Sequence, residues 1–216
     1  MQVYQDLEIY GNKEDLLKFV ELVTDSLDEN WNRGKELEDD IKSSSVGDSI
    51  LFCFIFNDPE KRDLYSSLWL ALSGNNKLYV SNIVPKERGK LAYAEYNEIM
   101  NTFYTNFVKD LSQQVGLECK ISSGIQSIKD WLSPEVAKKL EIFSALANKS
   151  TGSAHPSDQK RWFDFIVSCH KEKCDLDVYR LQRWLIEEEN WPEDNAVELT
   201  IEYEFSTALL SFYDEY

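Results

Sequence analysis

The chain is short of the residues on which most catalytic and cofactor sites are built, with two histidines, four cysteines and eight glycines in 216 residues. The glycines are scattered and form neither a G-x-x-x-x-G-K-[ST] loop nor a G-x-G-x-x-G turn, so the common backbone cradles for phosphate are missing. A G-x-S-x-G elbow and an H-E-x-x-H zinc helix are missing too. No catalytic residue, metal or cofactor is therefore expected. Long apolar runs are also lacking, since none approaches the roughly 20 residues that span a bilayer. The start, Met1 to Asp6, has neither the basic region nor the apolar run of a secretory signal, and the expectation is a cytoplasmic protein that does not enter a membrane. Cys53, Cys119, Cys169 and Cys174 are spread along the chain, two of them inside apolar runs, which suits buried reduced thiols rather than a disulfide framework.

Bases are scarce beside acids: 23 Lys and Arg against 39 Asp and Glu, a net charge of −16. The imbalance sits at the two ends, with 13 acids and 5 bases over residues 1–48, 14 and 16 over 49–174, and 12 and 2 over 175–216. Such a chain would be repelled by DNA, RNA or an anionic membrane, which argues against direct nucleic-acid binding. The partner that suits it is a basic protein, because complementary fields accelerate encounter and reject wrong partners.

What is present is ample material for a core, at 43% hydrophobic and 13% aromatic. Val3, Leu7 and Ile9 predict a strand ending at Gly11-Asn12, and Asn12 predicts the cap of a helix whose apolar residues Leu16, Phe19, Val20, Val23 and Leu27 recur at helical spacing. That helix should fray between Asn30 and Gly34, and the polar stretch from Glu36 to Asp48 reads as a loop. Ile50 to Phe56 is a continuous apolar run, the mark of an interior strand. Leu64 to Leu72 and Lys77 to Val84 flank Ser73-Gly74-Asn75-Asn76, a hairpin signal. Ala92 to Val115 predicts a long amphipathic helix closed by Gly116, and Leu117 to Ile121 a short edge strand. Beyond Ser127 only helical signals remain: Ser133-Pro134-Glu135, Pro156-Ser157-Asp158, Asp177 and Asn190-Trp191-Pro192-Glu193 each open a helix. The expected fold class is α+β: a mainly antiparallel sheet with two helices (β-α-β-β-β-α-β) over 1–124, then an all-helical bundle over 125–216, with a soft boundary between about 124 and 154.

Several constellations could carry chemistry. His155, Cys169, His170 and Cys174 include both histidines and two thiols, but the thiols are separated by four residues and the histidines by fourteen, without the second matching pair that structural zinc usually needs. Cys169 and His170 are adjacent, and adjacent helical residues point about 100° apart, too far to share a proton readily. The loop around Asn148, Lys149 and His155, with Lys160 and Arg161, could contact an anion or a partner at a helix N-terminus, or could simply be a capped turn in which Ser157 or Asp158 satisfies the free amides. Glu187-Glu188-Glu189 and Glu198, Glu202, Glu204, Asp214 and Glu215 could form a carboxylate site, or a solvated acidic face.

The last helix is the strongest surface candidate. Leu199, Tyr203, Leu209, Leu210, Phe212 and Tyr213 interleave with Glu198, Glu202, Glu204 and Asp214, and aromatic anchors beside orienting charges suit an interface. Partner contacts are accordingly expected at Glu187, Glu188, Glu198, Glu202, Tyr203, Glu204, Phe212 and Tyr213, within a surface running from Trp184 to Tyr213. The bland alternative packs the aromatics inside the bundle and leaves only the acids in water. In charge and size the chain has the character of a bacterial immunity or antitoxin protein that covers a basic toxin. The rivals are an enzyme or defence-system component with its site near residues 148–161, and a nucleic-acid mimic that presents carboxylates at phosphate-like spacing.

Overall fold

Leu7 and Ile9 alternate with Glu8 and Tyr10. In a computed structural model of the chain, which describes residues 1–44, 50–87 and 89–216, this alternation is strand β1 (Leu7–Tyr10), with both aliphatic side chains fully buried. Asn12 then caps α1 (Lys13–Asp25): its side chain accepts from the Asp15 amide at 2.9 Å, and Leu16, Phe19, Val20 and Val23 form the buried stripe.

Two expectations fail in the next segment. The helix stops at Asp25, and Trp31–Arg33 is a strand, β2; Lys35–Ser44, expected as loop, is a helix, α2. The causes are tertiary. Trp31 is 1% exposed and its ring centroid lies 5.0, 5.2 and 5.9 Å from those of Phe56, Phe103 and Phe107, contacts that a local pattern does not reveal. Glu38 on α2 accepts from the Cys53 amide at 2.7 Å and pairs with Arg33, whose guanidinium also lies over the rings of Phe52 and Phe54. The remainder of the expected loop, Ser45 to Asp48, lies outside the described residues.

The apolar run becomes β3 (Leu51–Phe56), and the hairpin becomes β4 (Ser66–Ser73) and β5 (Lys77–Pro85), turning at Gly74 with φ +58°. The long helix is α3 (Tyr93–Phe103), a π-helical turn (Tyr104–Val108) and α4 (Lys109–Gln114). A wide turn offsets the drift of the helical stripe, so Phe103, Phe107 and Val108 all stay against the sheet core. After Gly116, in the left-handed conformation at φ +71°, the chain enters the edge strand β6 (Glu118–Ile121). The six strands lie in the order β2-β3-β4-β5-β1-β6, with every pairing antiparallel. The element order is thus β-α-β-α-β-β-β-α-β, an α+β sheet unit with one strand and one helix more than the sequence announced.

The second unit is helical. A short 3-10 turn capped by Ser127 leads to α5 (Pro134–Leu146), where the Ser133 hydroxyl accepts from the Val136 amide. Then come α6 (Pro156–Glu172), α7 (Val178–Glu187), capped by Asp177, and α8 (Glu193–Asp214). Its core is aromatic, with Phe143, Trp162, Phe165, Trp184, Trp191 and Tyr203 buried among aliphatic side chains. The compact units are Gln2–Gly124, and Ile125–Tyr216 together with Met1. The Met1 amine donates to the Gln126 carbonyl at 3.0 Å and to the Glu188 carboxylate. Among the described residues, no helix is long and apolar enough to cross a membrane.

The Arg33–Glu38 pair is nearly dry, with side chains 8% and 16% exposed. Removing one member of such a pair strands a charge and here also orphans the Cys53 amide. Glu38→Ala is expected to cost about 3 kcal/mol in urea unfolding, and Glu38→Gln less because it retains an acceptor. A loss below about 1 kcal/mol for the alanine variant would show that water reaches the pair.

Candidate functional site

Twenty-two residues of α8 make a helix about 33 Å long. Its inner stripe, Ala196, Leu199, Thr200 and Tyr203, is buried against the helical core. At about 100° per residue, Val197, Ile201, Phe205, Leu209 and Phe212 fall on a second stripe, roughly opposite the first. These side chains are exposed: Ile201 by 59%, Phe205 by 69%, Leu209 by 55% and Phe212 by 56%. Tyr213, 75% exposed, borders them. Glu198 and Glu202 flank one edge of the stripe and Glu204 the other, all three exposed. From Glu193 to Asp214 there are six carboxylates and no Lys, Arg or His.

The expected contact residues divide on this helix. Glu198, Glu202, Glu204, Phe212 and Tyr213 lie on the outer surface, whereas Tyr203 is 5% exposed and stacks on Phe165 at 5.9 Å between centroids. Its hydroxyl donates to the Leu176 carbonyl at 3.0 Å, so it serves the core and cannot meet a partner. Glu187 is held by Arg183 through bonds of 2.7 and 3.0 Å, and Glu188 by the Met1 amine. Both carboxylates are therefore part-neutralised within the unit. Val197, Ile201 and Phe205 are not among the expected contacts, because their spacing is masked by the overlapping Leu199–Tyr203 stripe. The signal was there, in the i, i+4 recurrence Val197, Ile201, Phe205, Leu209, offset by two residues from the buried set.

The turn from 148 to 161 spends its polar groups on itself. Asn148 Oδ1 accepts from the Ser150 amide at 3.1 Å and the Ser150 hydroxyl at 2.8 Å. Lys149 donates to the Glu189 carbonyl, with its ammonium 5.8 Å from the Trp191 ring centre. The cap of α6 is His155, whose Nδ1 accepts from the Ser157 amide at 3.3 Å, rather than Ser157 or Asp158. Asp158, 6% exposed, instead pairs with Arg161 at 2.5 Å. Ser153 donates to Glu202 at 2.7 Å and ties the turn to α8. Lys160 is exposed on the first turn of α6.

His155 opens α6 and His170 closes it, on the order of 20 Å apart along the axis, so the soft-ligand residues do not converge. Among the described residues no group of three or more His, Cys, Asp or Glu could hold a metal ion. Cys169 and His170 point apart: the thiol meets the Tyr203 hydroxyl at 3.3 Å, and the imidazole Nε2 meets Asp214 at 2.8 Å. Both groups line an open cavity of about 960 Å³ between the end of α6, the α6–α7 connection and the C-terminal half of α8. Cys174, Leu176, Leu210 and Lys173 line it too. Burial pushes the Cys174 thiol up to about 12, and raises Cys169 and the Tyr203 hydroxyl as well. Protonated thiols are poor nucleophiles, and this corner offers no activated sulfur at neutral pH.

Comparison with family models, with curated proteins and with solved structures returned no match.

The raised thiol values have a consequence for stability. Below the ordinary thiol value of 9.0 both folded and unfolded chains keep their protons and nothing changes. Between 9.0 and about 12 the unfolded chain loses protons that the folded one keeps, so stability falls as pH rises. A melting temperature that is level up to about pH 8.5 and declines from pH 9 to 11 is expected, and the decline should be shallower in Cys174→Ser. A level profile to pH 11 would contradict the burial of these groups.

Proposed function

We propose that the chain is a protein-binding module whose α8 outer face receives a basic partner, in the manner of an immunity or antitoxin protein covering a toxin. The observation that supports this reading is the exposed stripe of Ile201, Phe205, Leu209 and Phe212, set between Glu198 and Glu202 on one side and Glu204 on the other. Contiguous large apolar side chains on a helix face are costly to leave in water and mark interaction surfaces. Their carboxylate borders match a partner segment whose apolar residues are flanked by Lys or Arg, as in helix-in-groove recognition. The aromatic residues would supply contact energy, and the acids would set orientation and association rate.

Two rival readings fit the same surface less well. A nucleic-acid mimic presents carboxylates on a polar ground, and a ridge of phenylalanine and leucine has no counterpart in a phosphate backbone. An enzyme site near 148–161 would leave polar groups aimed at a substrate, whereas Asn148, Lys149, His155 and Arg161 are bonded within the turn and its neighbours.

The test is affinity capture from the native host at low salt, with wild type and Phe205→Glu, Leu209→Glu as bait. Wild type should retain one basic protein in stoichiometric amount. Each substitution should weaken retention at least about 30-fold, the equivalent of roughly 2 kcal/mol at an interface anchor, while the melting temperature stays unchanged because both residues are exposed. Raising salt to about 0.5 M should also weaken it. Retention insensitive to both substitutions, or a salt-insensitive dimer of the chain itself that the substitutions dissociate, would sink the proposal.

A further inference from the structure

Cys169 lies on the last turn of α6, and Cys174 follows its end by a geometry that brings the two side by side. Lys173 takes the left-handed conformation at φ +52°, its amide donates to the His170 carbonyl at 3.1 Å, and the Cys174 amide donates to the Cys169 carbonyl at 3.0 Å. This is the Schellman closure, in which the residues at the ends of the six-to-one bond put their side chains in contact. That position is usually filled by two apolar groups; here it is filled by two thiols. Both line the cavity between α6 and α8, Cys174 half-buried and Cys169 beneath it at 2% exposure.

We infer that Cys169 and Cys174 are a paired modification site, which a zwitterionic low-molecular-weight disulfide of the glutathione type converts to an intramolecular disulfide. Three features of this corner carry the assignment. The six-to-one bond of 3.0 Å between the Cys174 amide and the Cys169 carbonyl brings the two backbones together, the approach that a disulfide requires. The exposure is graded, so the entering reagent meets Cys174 while Cys169 waits behind it. Lys171 and Lys173 line the same cavity together with Asp177, Glu204 and Asp214, so it offers charges of both signs to a reagent that carries ammonium and carboxylate groups.

The chemistry balances in two exchanges. Cys174 loses its proton, and its sulfur attacks one sulfur of the oxidised reagent; the S–S bond of the reagent breaks, one reagent molecule leaves as a thiol, and a mixed disulfide remains on Cys174. Cys169 then loses its proton and attacks the Cys174 sulfur, expelling the second reagent molecule as a thiol. The protein has lost two protons and two electrons, and the reagent disulfide has been reduced to two thiols. Burial of both thiols makes the first exchange slow at neutral pH and speeds it roughly tenfold per pH unit while the attacking group stays mostly protonated. The proposal is independent of what α8 binds.

Trypsin separates the two residues, because Lys171 and Lys173 lie between them. The full chain is incubated with glutathione disulfide at pH 8 and pH 9, its remaining thiols are alkylated under denaturing conditions, and the digest is mapped by mass. The expected product is peptide 162–171 joined to peptide 174–180, at a mass about 2 Da below the sum of the reduced pair, formed close to tenfold faster at pH 9. Cys169→Ser should stop at the mixed disulfide, with glutathione retained on Cys174. Cys174→Ser should leave Cys169 free to be alkylated. Wild-type protein in which both cysteines are alkylated, or in which Cys174 keeps glutathione without passing it to the 169–174 bond, would overturn the proposal; neither reading depends on a variant folding.

Discussion

An α-helix can turn one stripe to a core, and α8 has apolar residues on two. Ala196, Leu199 and Tyr203 take the core side, where Tyr203 binds the α6–α7 connection through Leu176 and stacks on Phe165. That choice fixes the rotation of the whole helix and leaves Ile201, Phe205, Leu209 and Phe212 in water. The two stripes could not be exchanged, because the buried one ends in a hydroxyl with a carbonyl and a thiol placed to meet it. The outer face is apolar because of its sequence and uncovered because of the packing beneath.

Charge decides what kind of cover fits. The helix holds six carboxylates and no base, and among the described residues the acids that precede it are partly answered within the unit, Glu187 by Arg183 and Glu188 by the Met1 amine. Glu198 and Glu204, by contrast, stand at the edges of the apolar stripe in open solvent. A second copy of the chain would bring like charges to those edges, at a cost that a basic partner turns into a gain. The contrast with the 148–161 turn is instructive, since that stretch is as rich in polar groups but directs them to its own backbone, to α8 and to the segment before it.

Much of the fold was legible in the sequence, and the parts that were not share a cause. Caps and periodicity marked α1, the hairpin, the long helix and the four helices of the second unit, because Asn12, Ser133 and Asp177 act within a few residues of themselves. β2 and α2 escaped because what holds them is distant: Trp31 is a strand residue on account of Phe56, Phe103 and Phe107, and α2 is anchored by a carboxylate that reaches the Cys53 amide. The expected contact residues were legible by chemistry rather than by direction. Tyr203 has the chemistry of an anchor but faces the core, and Phe205 faces outward within a recurrence offset from the Leu199 stripe.

The most direct measurement places a photo-crosslinking amino acid at position 205 in the full chain, irradiates it in the native host and identifies what is captured by mass spectrometry. A cover of the kind proposed gives one dominant adduct to a basic protein, reduced when Glu198 and Glu202 are changed to glutamine. Water-facing side chains with no partner give no dominant adduct, and a self-associating face gives an adduct to the chain itself; either result would contradict the assignment of α8 as the surface for a basic protein.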